Sequence, residues 1–251
     1  MKTIDPKIID FKHLYDLTDK VIIITGNKGL IGRAFEEACT QYGATVIGWD
    51  KPDMDVVNPT LIKESINKII EEYGKIDGLV NCHQYIGPNF FKPFEDYDND
   101  EWDSIIDVNL TGTYLTCKYV GRQMVKQGYG NIVNIPSTYS VVAPNQDLYK
   151  GMKQTLKSPA SYAASKGGII ALSKYLSTYW AKDNIRVNMI TPHGVWNNHE
   201  EVFENNFSKL SPMGRLSSNY EVAGGLVYLL SDASSYVTGH NLIIDGGWTV
   251  W

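Results

Sequence analysis

Short apolar runs alternate with amphipathic stretches along most of the chain. Val21 to Ile24, Thr45 to Ile47, Ile76 to Val80, Ile132 to Ile135, Val187 to Ile190 and Leu242 to Ile244 each predict a buried strand. Between the first two strands, Leu30, Ile31, Ala34, Phe35, Ala38 and Tyr42 recur at the spacing of one helix face. A second helix is carried by Leu61, Ile62, Ile66, Ile69, Ile70 and Tyr73. Asn58 and Pro59 suit its N-cap and first helical position, and Gly74 suits a left-handed exit. Strands that are apolar on both faces and separated by helices predict an α/β fold, a doubly wound parallel sheet covered by helices on both faces. No repeat, low-complexity tract or linker divides residues 1–251, so a single domain is expected. Residues 1–19 read as an N-terminal extension. Tyr85 to Asp100 and Val195 to Ser218 show neither strand nor strong helix character. They are expected as ligand loops beyond the carboxyl ends of strands, with 195–218 next to substrate.

Composition narrows the function classes. The 251 residues carry 23 Lys and Arg against 28 Asp and Glu, a net charge of −5, with 43% apolar and 20% charged residues. A chain of this size buries a core without disulfides or metal. A negative balance without a basic run argues against general nucleic-acid binding, whose affinity comes from clustered Lys and Arg on phosphates. No apolar run approaches the ~20 residues that span a bilayer. The first twenty residues lack an apolar core of signal-peptide length. Cys39, Cys82 and Cys117 are widely spaced and form no paired motif. They fit small buried hydrophobes in a reducing, cytoplasmic compartment.

Three stretches carry chemistry. Thr25-Gly26-Asn27-Lys28-Gly29-Leu30-Ile31-Gly32 follows the first strand and opens the first helix. There, glycines let the backbone turn tightly and approach a pyrophosphate, which rests on the helix N-terminus. Gly26, Lys28, Gly29, Leu30 and Ile31 are the candidate cofactor contacts in this turn. Strand two ends at Asp50, where a carboxylate accepts both adenosine ribose hydroxyls and repels a 2′-phosphate, favouring NAD over NADP. Lys28 and Lys51 flank the same place and would attract that phosphate. Asp55-Val56 follows, placed to meet the adenine edge. The third stretch is Tyr162-Ala163-Ala164-Ser165-Lys166. Ser158-Pro159 reads as its helix start, so Tyr162 and Lys166 stand one turn apart on one face. A phenol of reference pKa about 10 is a poor base at neutral pH, and a nearby ammonium brings its proton transfer within range.

Taken together, these motifs resemble those of the short-chain dehydrogenase/reductase family, in its main single-domain type. The resemblance runs over nearly the whole chain after Leu17. Beyond Gly26, Gly32, Tyr162 and Lys166, the family's catalytic serine matches Ser137 in Asn134-Ile135-Pro136-Ser137, and its helix asparagine matches Asn109 in Asn109-Leu110-Thr111-Gly112. Thr191-Pro192-His193-Gly194-Val195 and Thr238-Gly239 through Gly246-Gly247 match two later elements. The resemblance implies a Rossmann fold, NAD or NADP as cofactor, and a homo-oligomer, dimer or tetramer. It implies that Tyr162 exchanges the proton with the substrate oxygen, that Lys166 lowers its pKa and holds the nicotinamide ribose, and that Ser137 holds the substrate oxygen. Asn109 would anchor a water that continues the proton path. Asn81, Pro192, Gly194 and Val195 would line the cofactor, while Tyr139, His193 and Trp196 would join Ser137 around the substrate.

The departures from the family pattern are informative. Leu30 stands at the middle glycine of the turn, with Gly29 one place earlier. Asn81-Cys82-His83-Gln84 carries bulkier residues where the family has small ones beside the cofactor, so either the loop shifts outward or these side chains touch ligand. Ser137 and Tyr162 are 25 residues apart, more than the family usual, which marks residues 138–160 as an insertion. It either borders the substrate pocket or makes a surface excursion, and Lys150, Lys153 and Lys157 within it could meet a phosphate or carboxylate. Similar insertions occur in relatives from bacterial surface-sugar and flagellin-modification pathways, a looser resemblance. His83, His193 and His199 lack metal-site spacing, and no metal is expected. The expected function is an NAD(H)-dependent oxidoreductase interconverting a secondary alcohol and a ketone on a polar, sugar-like metabolite. The alternatives are a 3-oxoacyl thioester reductase, which Asp50 and the net charge oppose, and a non-catalytic dinucleotide sensor, which the retained tyrosine and lysine oppose.

Overall fold

A computed structural model describes residues 10–152 and 157–251. Six strands, β1 (Val21–Thr25), β2 (Thr45–Trp49), β3 (Gly78–Asn81), β4 (Gly130–Asn134), β5 (Ile185–Pro192) and β6 (Asn241–Ile244), form one sheet. Every pairing is parallel, in the order β2-β1-β3-β4-β5-β6. Each predicted strand is present. β3 starts two residues later than its apolar run, because Asp77 turns aside to accept the Val21 N–H at 2.8 Å. The chain leaves β1 for β2 on one side and returns to β3 on the other, which opens a crevice at the carboxyl ends of β1 and β3.

The helices are α1 (Leu30–Gln41), α2 (Pro59–Tyr73), α3 (Asn99–Ile106), α4 (Gly112–Gln127), α5 (Ala160–Tyr179), α6 (Glu201–Leu210) and α7 (Asn219–Leu230). They cover both faces of the sheet. Alternate residues of β1 feed opposite cores: Ile22 and Ile24 pack with Phe35, Leu226 and Leu229, and Val21 and Ile23 pack with Ile62, Ile69, Val120 and Leu176. Full burial of one such side chain contributes about 1.5–3 kcal/mol, so the two layers carry most of the stability. Asn58 caps α2 by accepting from the N–H groups of Thr60 and Leu61, and Gly74 ends it at φ 75°, as its sequence predicts. The longest helix, α5, starts differently: Pro159 is its N-cap and Ser158 lies one residue outside. Among the described residues no helix is long and apolar enough to cross a membrane.

Two features modify the expected loops. Residues 201–210 form α6, because Val202, Phe203, Phe207 and Leu210 recur at helical spacing and give it an apolar side. Phe207 on that side joins Leu148 of the insertion, Leu216 and Trp248 in a third, smaller apolar cluster. Within the insertion, Thr138–Ser140 and Gln146–Tyr149 are short 3-10 turns. Lys153 lies outside the described residues. Between α3 and α4 the chain widens into one π-helical turn, Asp107–Thr111.

Candidate active site

The nucleotide-type turn leaves β1 with Gly26 at φ 67° and closes on itself. A Cβ on Gly32 would stand 2.1 Å from the Gly26 carbonyl oxygen and 2.8 Å from the Asn27 Cα, so no larger residue fits. No side chain caps α1, whose first-turn N–H groups are left for a ligand beside the cleft. The bare backbone cradle and the open helix N-terminus fit a dinucleotide pyrophosphate. At the end of β2, Asp50 accepts from the backbone N–H of Lys28 at 2.9 Å and of Lys51 at 2.8 Å. The two flanking lysines are neutralised: Lys28 Nζ stands 3.3 Å from Asp53, and Lys51 Nζ 3.2 Å from Asp55.

The cleft, about 780 Å³, runs from this turn along the carboxyl ends of the strands. Gly26, Lys28, Gly29, Leu30, Ile31 and Asp50 line one end of it. Ser137, Tyr139, Tyr162, Lys166 and His193 line the other, with Pro192, Gly194 and Val195 beside them. The segment after β4 delivers Ser137 and the first turn of α5 delivers Tyr162, while Lys166, one turn on, reaches back to donate to the Ile135 carbonyl at 2.9 Å. Lys166 is buried, and burial pulls its pKa down to about 8. Its Nζ lies 5.7 Å from the Tyr162 ring centroid, over the ring rather than at the hydroxyl. Burial pushes the Tyr162 phenol above its ordinary range, and the neighbouring Ser137 hydroxyl opposes that shift. The Tyr162 hydroxyl donates to Gln84 Oε1 at 3.4 Å.

Five predicted residues lie off the cleft wall. Asn81 is buried at the end of β3, where its Nδ2 donates to Asn134 Oδ1 at 2.8 Å and its Oδ1 accepts from Thr116. Asn109, fully buried in the π-turn, accepts from the Tyr85 N–H at 2.8 Å and places its Nδ2 3.5 Å from Ser165 Oγ. Val56 is buried, and Asp55 is occupied by Lys51. Trp196 is half exposed and donates to Glu204 at 2.8 Å, lining a separate surface groove.

The structure resolves the two readings of His83 and Gln84 differently. His83 turns inward, with Nδ1 2.7 Å from Thr25 Oγ1 and Nε2 3.1 Å from the Val108 carbonyl. A carbonyl only accepts, so Nε2 carries the proton and Nδ1 accepts from Thr25. Burial lowers the His83 pKa to about 3. Gln84 is exposed in the cleft, on the Tyr162 hydroxyl. The insertion borders the cleft through Leu148 and Tyr149, while Lys150 turns away to Asp147 at 2.7 Å. Phe90, Phe91 and Phe203 complete an aromatic wall, with Phe90 and Tyr139 set edge-on to Tyr162 at 5.7 and 6.3 Å.

Residues 51–205 match the profile of the short chain dehydrogenase family. The chain is 36% identical to an NAD-dependent glycerol dehydrogenase of Listeria innocua, across 96% of this chain and 98% of that protein. It is 35% identical to a 3-oxoacyl-[acyl-carrier-protein] reductase of Thermotoga maritima, across 92% and 98%. The crystal structure of a short chain dehydrogenase from Leptospira borgpetersenii with bound NAD+ superposes with a TM-score of 0.88 at 33% identity, over the whole of both chains.

Proposed function

The chain belongs to the short-chain dehydrogenase/reductase family, and on that footing we propose that it uses NAD(H) to interconvert a secondary alcohol and a ketone on a polar, sugar-like metabolite. As a member it is an NAD(P)-dependent oxidoreductase acting on CH–OH and C=O groups. The observation that carries the finer reading is the convergence of Ser137, Tyr162 and Lys166 on one cleft whose far end is the Gly26–Gly32 cradle and Asp50. When bound, the nicotinamide supplies or accepts the hydride. The protein's share is position and proton transfer.

Ser137 and Tyr162 hold the substrate oxygen, and the Tyr162 hydroxyl gives it a proton during reduction or takes one during oxidation. Tyr162 needs a partner for this, since burial alone moves its phenol the wrong way. Lys166 is that partner, an ammonium one helical turn away whose own pKa of about 8 lies near neutrality. Asn109 holds its backbone and side-chain contacts at the π-turn and supports the far end of the proton path. At the adenosine end, Asp50 with Lys28 and Lys51 already paired supports NAD over NADP.

The test is a turnover screen with both cofactor forms across polyols, keto-sugars, sugar phosphates and acyl thioesters, with Tyr162→Phe protein as the blank. We expect activity on an uncharged polyol or keto-sugar, a loss of at least 10³-fold in Tyr162→Phe, and nearly unchanged NADH binding. Comparable turnover by the variant would remove the acid/base role, and activity confined to acyl thioesters would replace the substrate class.

A further inference from the structure

Three segments outside the sheet build the aromatic wall of the cleft: the loop after β3 with Phe90 and Phe91, the insertion with Leu148 and Tyr149, and α6 with Phe203 and Phe207. Tyr149 stands between the other two, its ring 6.1 Å from Phe91 and 6.0 Å from Phe203. From Phe91 the wall continues to Phe90 at 5.0 Å and from Phe90 to Tyr162 at 5.7 Å. Two rings therefore separate Tyr149 from the reacting position, and only a substrate that extends away from its reacting carbon would reach it. The insertion is pinned at its neck, where the Ser158 N–H donates to Gln146 Oε1 at 3.0 Å and the Lys157 N–H to the Phe91 carbonyl at 3.1 Å. These bonds hold the start of the Gln146–Tyr149 turn and leave its far end to another partner.

That partner is on α6. Asn206 Nδ2 donates to the Leu148 carbonyl at 3.1 Å and to the Lys150 carbonyl at 2.9 Å. One amide nitrogen carries two N–H donors, and both are spent on the carbonyls on either side of Tyr149. Among the described residues these are the only hydrogen bonds between α6 and the insertion. The next residue fixes α6 on its other flank. The Phe207 ring rests on Gly194, where an added Cβ would stand 2.1 Å from Phe207 Cζ, and Gly194 lines the same cleft. Consecutive residues of α6 thus tie the insertion to the element after β5. An aspartate at 206 would keep the shape and lose both donors, setting a carboxylate against two carbonyl oxygens.

We propose that Asn206 is a positioning residue for substrate specificity: by holding the Leu148 and Lys150 carbonyls it seats Tyr149 in the cleft wall, and so decides how tightly the far end of a long substrate is held. Asn206 does not itself line the cleft, so it acts through Tyr149. This rests on the oxidoreductase reading above and adds the residue that couples the insertion to α6.

The experiment measures kcat and KM with NAD+ for glycerol, xylitol, D-mannitol and D-sorbitol. The proteins are wild type, Asn206→Asp, Asn206→Gln, Tyr149→Ala and the double variant Asn206→Asp with Tyr149→Ala. Asn206→Asp should raise the KM of the longest polyol that wild type uses by about tenfold or more, with kcat, the KM for NAD+ and glycerol kinetics all within about threefold. Asn206→Gln, which keeps both donors, should recover most of that loss. The double variant should be no worse than Tyr149→Ala alone, because the first change acts through the second residue. Melting temperatures show that each variant folds, and Asn206→Ala replaces the aspartate variant if that one does not. An unchanged polyol KM, a loss that falls on kcat or on NAD+, losses that add in the double variant, or a wild type confined to glycerol would overturn this inference and leave the oxidoreductase reading standing. No Tyr162-dependent turnover on any of the four would overturn both.

Discussion

At the scale of single residues, the site depends on side chains whose partners are distant in sequence. His83 joins Thr25, at the end of β1, to the Val108 carbonyl in the π-turn that presents Asn109. It is therefore a neutral bolt between the end of β1 and the π-turn. Free histidine titrates near 6.5 and this one near 3, with Lys166 adding to the effect of burial. Between those values the unfolded chain binds a proton that the folded chain refuses, so stability falls as pH drops below about 6.5. His193, held near 4, acts in the same direction. Each such histidine costs about 1.4 kcal/mol per pH unit inside its window. His83→Ala should therefore flatten the dependence of the urea midpoint on pH between 6.5 and 4.5 by about one proton's worth, and an unchanged slope would contradict the bolt. None of this was legible in the sequence. It showed only a bulky residue where a small one was expected, because hydrogen bonding across 58 residues has no local signature.

Elements were far more readable, for a physical reason: strands and amphipathic helices are written in local periodicity. The six strands and the cap and exit of α2 follow directly from apolar runs and from Asn58, Pro59 and Gly74. The candidate cradle, Ser137, Tyr162 and Lys166 were also legible, since they are anchored to strand and helix ends. α6 was missed because its apolar residues sit among Glu201, Glu204, Asn205 and Asn206, and its burial depends on the distant Leu148 and Trp248. Trp196 was expected at the substrate, but its bond to Glu204 draws it to the outside of α6. The turn before α1 makes a sharp test of element geometry. Gly32→Ala would press a methyl into the Gly26 carbonyl and the Asn27 Cα, both backbone atoms that cannot rotate away. NADH affinity by fluorescence titration should fall at least tenfold, and a change within twofold would show that the cradle does not hold the dinucleotide.

On the scale of the whole molecule, the doubly wound sheet gathers the Gly26–Gly32 turn, Asp50, Ser137, Tyr162 and Lys166 at the carboxyl rim and leaves the two main cores beneath it for stability. Binding at the rim then stabilises the entire fold by mass action. NADH at a hundred times its dissociation constant should add about 2.7 kcal/mol, a rise in Tm of about 5–10 °C for a chain of this length. NADPH at the same concentration should give less than half that rise, because Asp50, Asp53 and Asp55 outnumber Lys28 and Lys51 where its extra phosphate would sit. Asp50→Ala should narrow the difference, and a larger shift with NADPH in wild type would reverse the cofactor preference. The third apolar cluster has a consequence for how such a protein changes over generations. Leu148 of the insertion, Phe207 of α6 and Trp248 near the carboxyl terminus share one apolar seat, and Leu148 and Phe207 also line the cleft. Exchange of any one of these segments with a cousin's would leave the other two leaning on a shape that is no longer there. New substrate preferences in this lineage should therefore be inherited as a trio of co-varying segments, while the cofactor half of the chain passes on unaltered.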